Sequence, residues 1–111
     1  MRHLIFAAAL MTGLISSANG QSSDGNKLLE WCTSPNSSDA CLGYLAAITD
    51  IMTFEDISGY SACVPEGVTR GQFRDIVVRY LKDHAEIRHH IAPYLIARAN
   101  AEAFPCPKKK P

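Results

Sequence analysis

Four cysteines, Cys32, Cys41, Cys63 and Cys106, are the residues of this chain best equipped for chemistry, followed by His84, His89 and His90 and by two acidic pairs, Glu55 with Asp56 and Asp83 with Glu86. Three uses are open to the cysteines: metal ligation, nucleophilic catalysis and disulfide formation. Structural zinc needs close ligand pairs such as C-x-x-C, whose short loops aim two thiolates at one ion, and even the nearest pair, Cys32 and Cys41, is spaced too widely. The histidines do not supply what is missing. Neighbours on a helix point about 100° apart, so His89 and His90 diverge, and His84 and His89 also miss the i, i+4 spacing that lets two imidazoles share a metal. They read as a solvated helix turn with at most a mild pH response. No Gly-x-Ser-x-Gly turn occurs, and four paired cysteines leave no nucleophilic thiol. Glu55 and Asp56 adjoin Phe54 in what reads as an exposed corner, while Asp83 and Glu86 read as a helix cap. The chain is therefore read as a non-enzyme, with no catalytic residue, metal or cofactor.

Disulfides require an oxidising compartment, and the N-terminus points to one. Met1, Arg2 and His3 form a cationic lead, Leu4 to Ile15 is almost wholly apolar, and Ser16 to Gly20 offers the small residues a signal peptidase cuts beside. The apolar run is too short to span a bilayer, which takes about 20 residues. Cleavage after Gly20 is preferred to cleavage after Ala18, and no cysteine follows either site to carry a lipid. Residues 1–20 are thus read as a signal peptide and residues 21–111 as one domain, exported and free of the membrane after cleavage. A domain this small is near the size at which an apolar core alone is marginal, and disulfides are the expected supplement. The formal net charge of the whole chain is zero, which argues against nucleic acid as a partner. Lys108-Lys109-Lys110, between prolines, reads as a solubilising tail.

The elements that must position these residues are helical. Leu28, Leu29 and Trp31 form a short apolar turn or two up to Cys32, and Thr33 to Ser38 is dense in turn formers. Ser38 or Asp39 can cap a long second helix, from about Asp39 to Ile57, with Cys41, Leu42, Leu45, Ile48, Ile51 and Met52 on its apolar face. The pattern breaks up from Thr53 to Gly59. Thr69 with Gln72 reads as a capping box, ahead of a clean stripe of Phe73, Ile76, Val77, Tyr80 and Leu81. Asp83 to Glu86 repeats that capping logic, predicting a last helix with Ile87, Ile91, Tyr94, Leu95 and Phe104 on its face and a kink near Pro93. Nothing alternates like a strand, so the fold class expected is all-α: a small four-helix domain stapled by disulfides.

Four cysteines allow three pairings, and helix geometry selects one. The second helix would rise roughly 28 Å at 1.5 Å per residue, setting Cys41 at its start far from Cys63 beyond its end. Cys32 is tethered to the same start. A bridge needs Cα atoms within about 7 Å, so Cys32 is expected to pair with Cys41. A tight corner between the last two helices makes them antiparallel and returns Cys106 to Cys63.

Cys41-Leu42-Gly43-Tyr44 with Asp50, then Cys63-Val64-Pro65-Glu66-Gly67-Val68-Thr69, Gln72, Val77, Tyr80-Leu81, His84-Ala85-Glu86 and Phe104-Pro105-Cys106 form an ordered set running nearly the length of the mature chain. Together they resemble the Rap/Tai family of type VI secretion immunity proteins. Ala85 stands where proline is common in that family, and Ala46-Ala47 where glycine often sits. The resemblance implies a periplasmic, all-helical, disulfide-bonded homodimer that blocks a peptidoglycan amidase delivered by neighbouring bacteria. It also implies steric inhibition, with a protruding segment entering the amidase's cysteine–histidine cleft. The family pattern leaves that segment variable, so no contact residue carries over by motif. Phe54, Glu55 and Asp56 are the candidates here because they are apolar and acidic and interrupt the helix pattern.

Two other readings keep the scaffold and change the role: an exported binding protein of the same fold with an unrelated partner, or an acid-stress periplasmic chaperone of the Hde type. Members of the latter type usually carry one disulfide, and acid-dependent dissociation with client binding would mark it. Non-reducing peptide mapping is expected to recover Cys32 with Cys41 and Cys63 with Cys106; a peptide linking Cys41 to Cys63 would contradict the helix arrangement.

Overall fold

Apolar side chains recurring every three or four residues give this chain four helices, and in the computed structural model, which describes residues 23–108, they are α1 (Gly25–Thr33), α2 (Ser38–Met52), α3 (Arg70–Asp83) and α4 (Ala92–Ala103). The expected signal segment, residues 1–20, and Lys109 and Lys110 of the basic tail lie outside the described residues. Each helix packs on the other three around one core. This is the all-α, four-helix, disulfide-stapled architecture that the patterning calls for, and the described residues contain no strand.

Helix starts follow local chemistry. Asp24 caps α1, its carboxylate accepting from the Lys27 N–H at 2.9 Å. Gly25 lies against the segment before α4, where its N–H donates to the His90 carbonyl at 3.0 Å. A Cβ there would collide with the Leu95 side chain and come within 2.8 Å of the Arg88 carbonyl, so only glycine fits. Thr69 and Gln72 form the capping box of α3: the Gln72 N–H donates to the Thr69 hydroxyl at 3.2 Å, and the Thr69 N–H to the Gln72 side chain at 2.7 Å.

The core is built from Leu28 and Cys32 of α1, Cys41 and Leu45 of α2, Phe73, Val77, Tyr80 and Leu81 of α3, and Ala92, Leu95, Ile96 and Ala99 of α4. The short side chains Ala92, Ala97 and Ala99 let α4 sit close among its neighbours. A single polar side chain, Asn100, makes the buried hydrogen bonds that cross this interior among the described residues. Asn100, fully buried on α4, donates to the Thr49 hydroxyl of α2 at 3.0 Å.

Three expectations are corrected. Helix α2 ends at Met52 rather than near Ile57, because the Thr53 hydroxyl and N–H both donate to the Asp50 carbonyl, at 2.7 and 3.1 Å, and stop the helical ladder. Its buried face carries Thr49 and not Ile51, which is 46% exposed, since the hydroxyl has a buried partner and so tolerates the interior. The last helix does not begin at Asp83 and kink at Pro93. The Asp83–Glu86 stretch forms no side-chain cap; a 3-10 turn (Ala85–Ile87) intervenes, and α4 starts at Ala92 with Pro93 in its first turn. Proline is at home there, where its missing N–H would have had no helical partner. Ile91 consequently precedes the helix, 52% exposed, instead of lining its apolar face.

The bridges are Cys32–Cys41, with Cα atoms 5.1 Å apart, and Cys63–Cys106, at 4.9 Å. The first ties α1 to the start of α2; the second ties the α2–α3 connection to the end of α4. Their separations along the chain are 9 and 43 residues. On the chain-entropy account the long loop is worth about 4 kcal/mol and the short one about 2.7 kcal/mol. Paired serine replacements followed by urea unfolding should therefore find Cys63→Ser/Cys106→Ser the more damaging; equal losses would contradict this.

Candidate partner-binding surface

Past Met52 the chain has few apolar residues to bury, and it turns outward. The N–H groups of Phe54 and Glu55 both donate to the Ile51 carbonyl at 3.0 Å, finishing the last turn of α2. Ile57 and Tyr60 then exchange two backbone hydrogen bonds, of 3.1 and 2.9 Å, across Ser58 and Gly59. Both central residues have positive φ, 51° and 82°, as a two-residue hairpin turn demands. The corner is thus hydrogen-bonded at each end, and between the ends Phe54 stands 88% exposed with Glu55 and Asp56 exposed beside it. Neither carboxylate forms an ion pair among the described residues.

Tyr60, closing the corner, is held from behind by Tyr94, which the sequence placed on the face of the last helix, and by Arg98, which it did not single out. Its ring meets that of Tyr94 edge to face at 5.8 Å, and Arg98 lies over both rings. Arg98 donates to the Tyr94 hydroxyl at 3.2 Å. Burial works against the Arg98 charge, but the bond to Tyr94 and the surrounding tyrosines more than offset it, and its pKa is raised. The i, i+4 spacing of Tyr94 and Arg98 was a legible signal; that Tyr60 joins them was not, since it comes from another part of the chain.

The remaining candidates are dispersed. His89 and His90 are exposed in the turn before α4, their rings tilted against each other with centroids 4.5 Å apart. His84 is separate: it stacks on Tyr80 at 4.1 Å, with Nδ1 2.8 Å from the Tyr80 carbonyl at the end of α3. No group of three metal-binding side chains occurs among the described residues. A groove of about 170 Å³ between α3 and α4 is lined by Arg79, Tyr80, Asp83, His84 and Glu102 among others. Its imidazole is oriented by the Nδ1 contact with the backbone and by the stack on Tyr80. All four cysteines are in disulfides.

Residues 24–106 match the sequence profile of the Rap1a immunity proteins, and the chain belongs to that family. No curated protein and no solved structure matches it significantly.

Tyr80 allows one test of the groove. Its hydroxyl is buried with no hydrogen-bond partner among the described residues, and burial raises its pKa, opposed by Arg98 and reinforced by Glu102, Tyr60 and Tyr94. A raised pKa favours the neutral phenol in the folded state, so this stability is complete below the ordinary tyrosine value of about 10 and is lost as pH rises through the folded value. Tyr80→Phe should leave stability at pH 7 unchanged or raise it by up to about 1 kcal/mol, and should flatten the alkaline loss. Urea unfolding at neutral and alkaline pH measures both; a clear loss at neutral pH would mean that the hydroxyl is satisfied.

Proposed function

We propose that this Rap1a immunity protein works in the periplasm, with residues 1–20 removed as a signal peptide from a single domain of residues 21–111, and that it inhibits a peptidoglycan amidase delivered by type VI secretion. Phe54, Glu55 and Asp56 are the segment that enters the amidase's cysteine–histidine cleft, and the block is steric. The observation that carries this reading is Phe54, a large apolar ring 88% exposed on a corner hydrogen-bonded at both ends. Leaving such a ring in water forgoes about 1.5–3 kcal/mol that a partner's pocket would recover. A corner already ordered loses little entropy on docking.

The flanking carboxylates suit the same target. An activated cysteine–histidine pair places an imidazolium in the cleft, and Glu55 and Asp56 bring negative charge to meet it. Two disulfides in so small a domain fit an oxidising compartment. A homodimer belongs to the same proposal, since Ile51 and Ile91 offer exposed apolar side chains to a second copy.

The test is release of peptidoglycan peptides by a type VI secretion peptidoglycan amidase, with the immunity protein titrated in. Wild-type protein should stop release at stoichiometric amounts. Phe54→Ala should weaken inhibition roughly 30-fold or more, as loss of a central anchor does, and charge reversal at Glu55 and Asp56 should weaken it further. Full inhibition by both variants would remove the corner from the interface.

A further inference from the structure

Beside the corner lies a cation with no acid of its own. Arg98 is half-buried on α4, its Nη1 donating to the Tyr94 hydroxyl at 3.2 Å and its guanidinium 5.6 Å from the Tyr94 ring centroid and 5.8 Å from that of Tyr60. A guanidinium carries five N–H donors, and this bond occupies one. Among the described residues no carboxylate comes within ion-pairing distance of it. Glu102, one turn further on α4, lines the groove between α3 and α4 instead.

Two aromatic rings and a hydrogen bond hold the planar fork in place, so little side-chain freedom remains to be lost when a carboxylate arrives. The fork matches a carboxylate bidentately, and such charge-assisted pairs are the strong ones. We propose that Arg98, braced by Tyr60 and Tyr94, receives a carboxylate side chain of the secreted effector whose surface Phe54 engages. This rests on the corner being the docking segment. Tyr60 closes that segment by its backbone bonds to Ile57, so a partner seated on Phe54 extends naturally over Arg98. The interface then has two charge signs: acidic side chains of this chain at Glu55 and Asp56, and a basic receptor at Arg98 that accepts acid from the partner. Paired signs of this kind fix orientation and exclude unrelated effectors.

Calorimetric titration with the cognate effector tests the proposal, with wild type, Arg98→Met and Phe54→Ala compared at low and physiological salt. Arg98→Met keeps the stem against the tyrosines and removes the charge. It is expected to weaken binding roughly tenfold to a hundredfold and to reduce the salt dependence, while thermal melting stays with wild type. Wild-type affinity in Arg98→Met, with Phe54→Ala weakened, overturns this inference and leaves the corner reading standing. Wild-type affinity in Phe54→Ala overturns the corner reading and this one with it. Should Arg98→Met melt early, the comparison passes to Tyr94→Phe, which loses only the hydroxyl that braces the guanidinium; roughly threefold weaker binding supports the receptor, and unchanged binding overturns it.

Discussion

Between Met52 and Arg70 the chain runs without a helix, and the bridge from Cys63 to Cys106 is what fastens that run to the core. The Cys63 N–H donates to the Phe104 carbonyl at 2.9 Å beside it, so the covalent and hydrogen-bonded ties act at one point. Everything that leaves the core depends on this anchor. Upstream of it the corner of Phe54 to Tyr60 projects; downstream, Val64 and Val68 pack back on the core before Thr69 starts α3. Without the bridge, the connection would keep only half-buried residues to hold it, and the corner would lose its fixed base.

Behind that anchor the scaffold is made rigid by close approach. Helix α4 buries Ala92, Leu95, Ile96, Ala97, Ala99 and Asn100, so almost every turn of it is enclosed. Asn100 in such a place is expensive unless bonded; its amide N–H donates to Thr49 and links α4 to α2, while its Oδ1 has no partner among the described residues. The same α4 presents Tyr94 and Arg98 outward to Tyr60. One helix therefore fixes the core on one side and steadies the exposed corner on the other.

The readable parts of this fold are those settled by local chemistry. Thr69 and Gln72 satisfy each other's backbone within one turn, and Phe73, Val77, Tyr80 and Leu81 repeat at a helical period, so α3 was legible outright. Cysteine order and helix length together pointed to the two bridges. What was not legible depended on partners distant in the chain. Thr49 looks like a surface residue until Asn100 lies opposite it, and Ile51 looks like core until α2 is rotated to bring Thr49 inward. Pro93 reads from the sequence as a kink, and the backbone contacts that tie Gly25, Asn26 and Ala92 into one junction accompany its place in the first turn instead. At the candidate surface Phe54, Glu55 and Asp56 stood out by breaking a pattern, whereas Arg98 looked like an ordinary exposed helix residue until Tyr60 was placed over it.

The family accounts for the scaffold, and the corner adds to that scaffold an exposed apolar ring on a braced turn, flanked by carboxylates and backed by an arginine set between tyrosines. The most direct test is hydrogen–deuterium exchange of this protein with and without its cognate effector. The account predicts that amides from Thr53 to Tyr60 gain protection in the complex, with a smaller gain near the exposed turn before α4. Protection confined to α1 and the first turns of α2, with residues 53–60 unchanged, would contradict it.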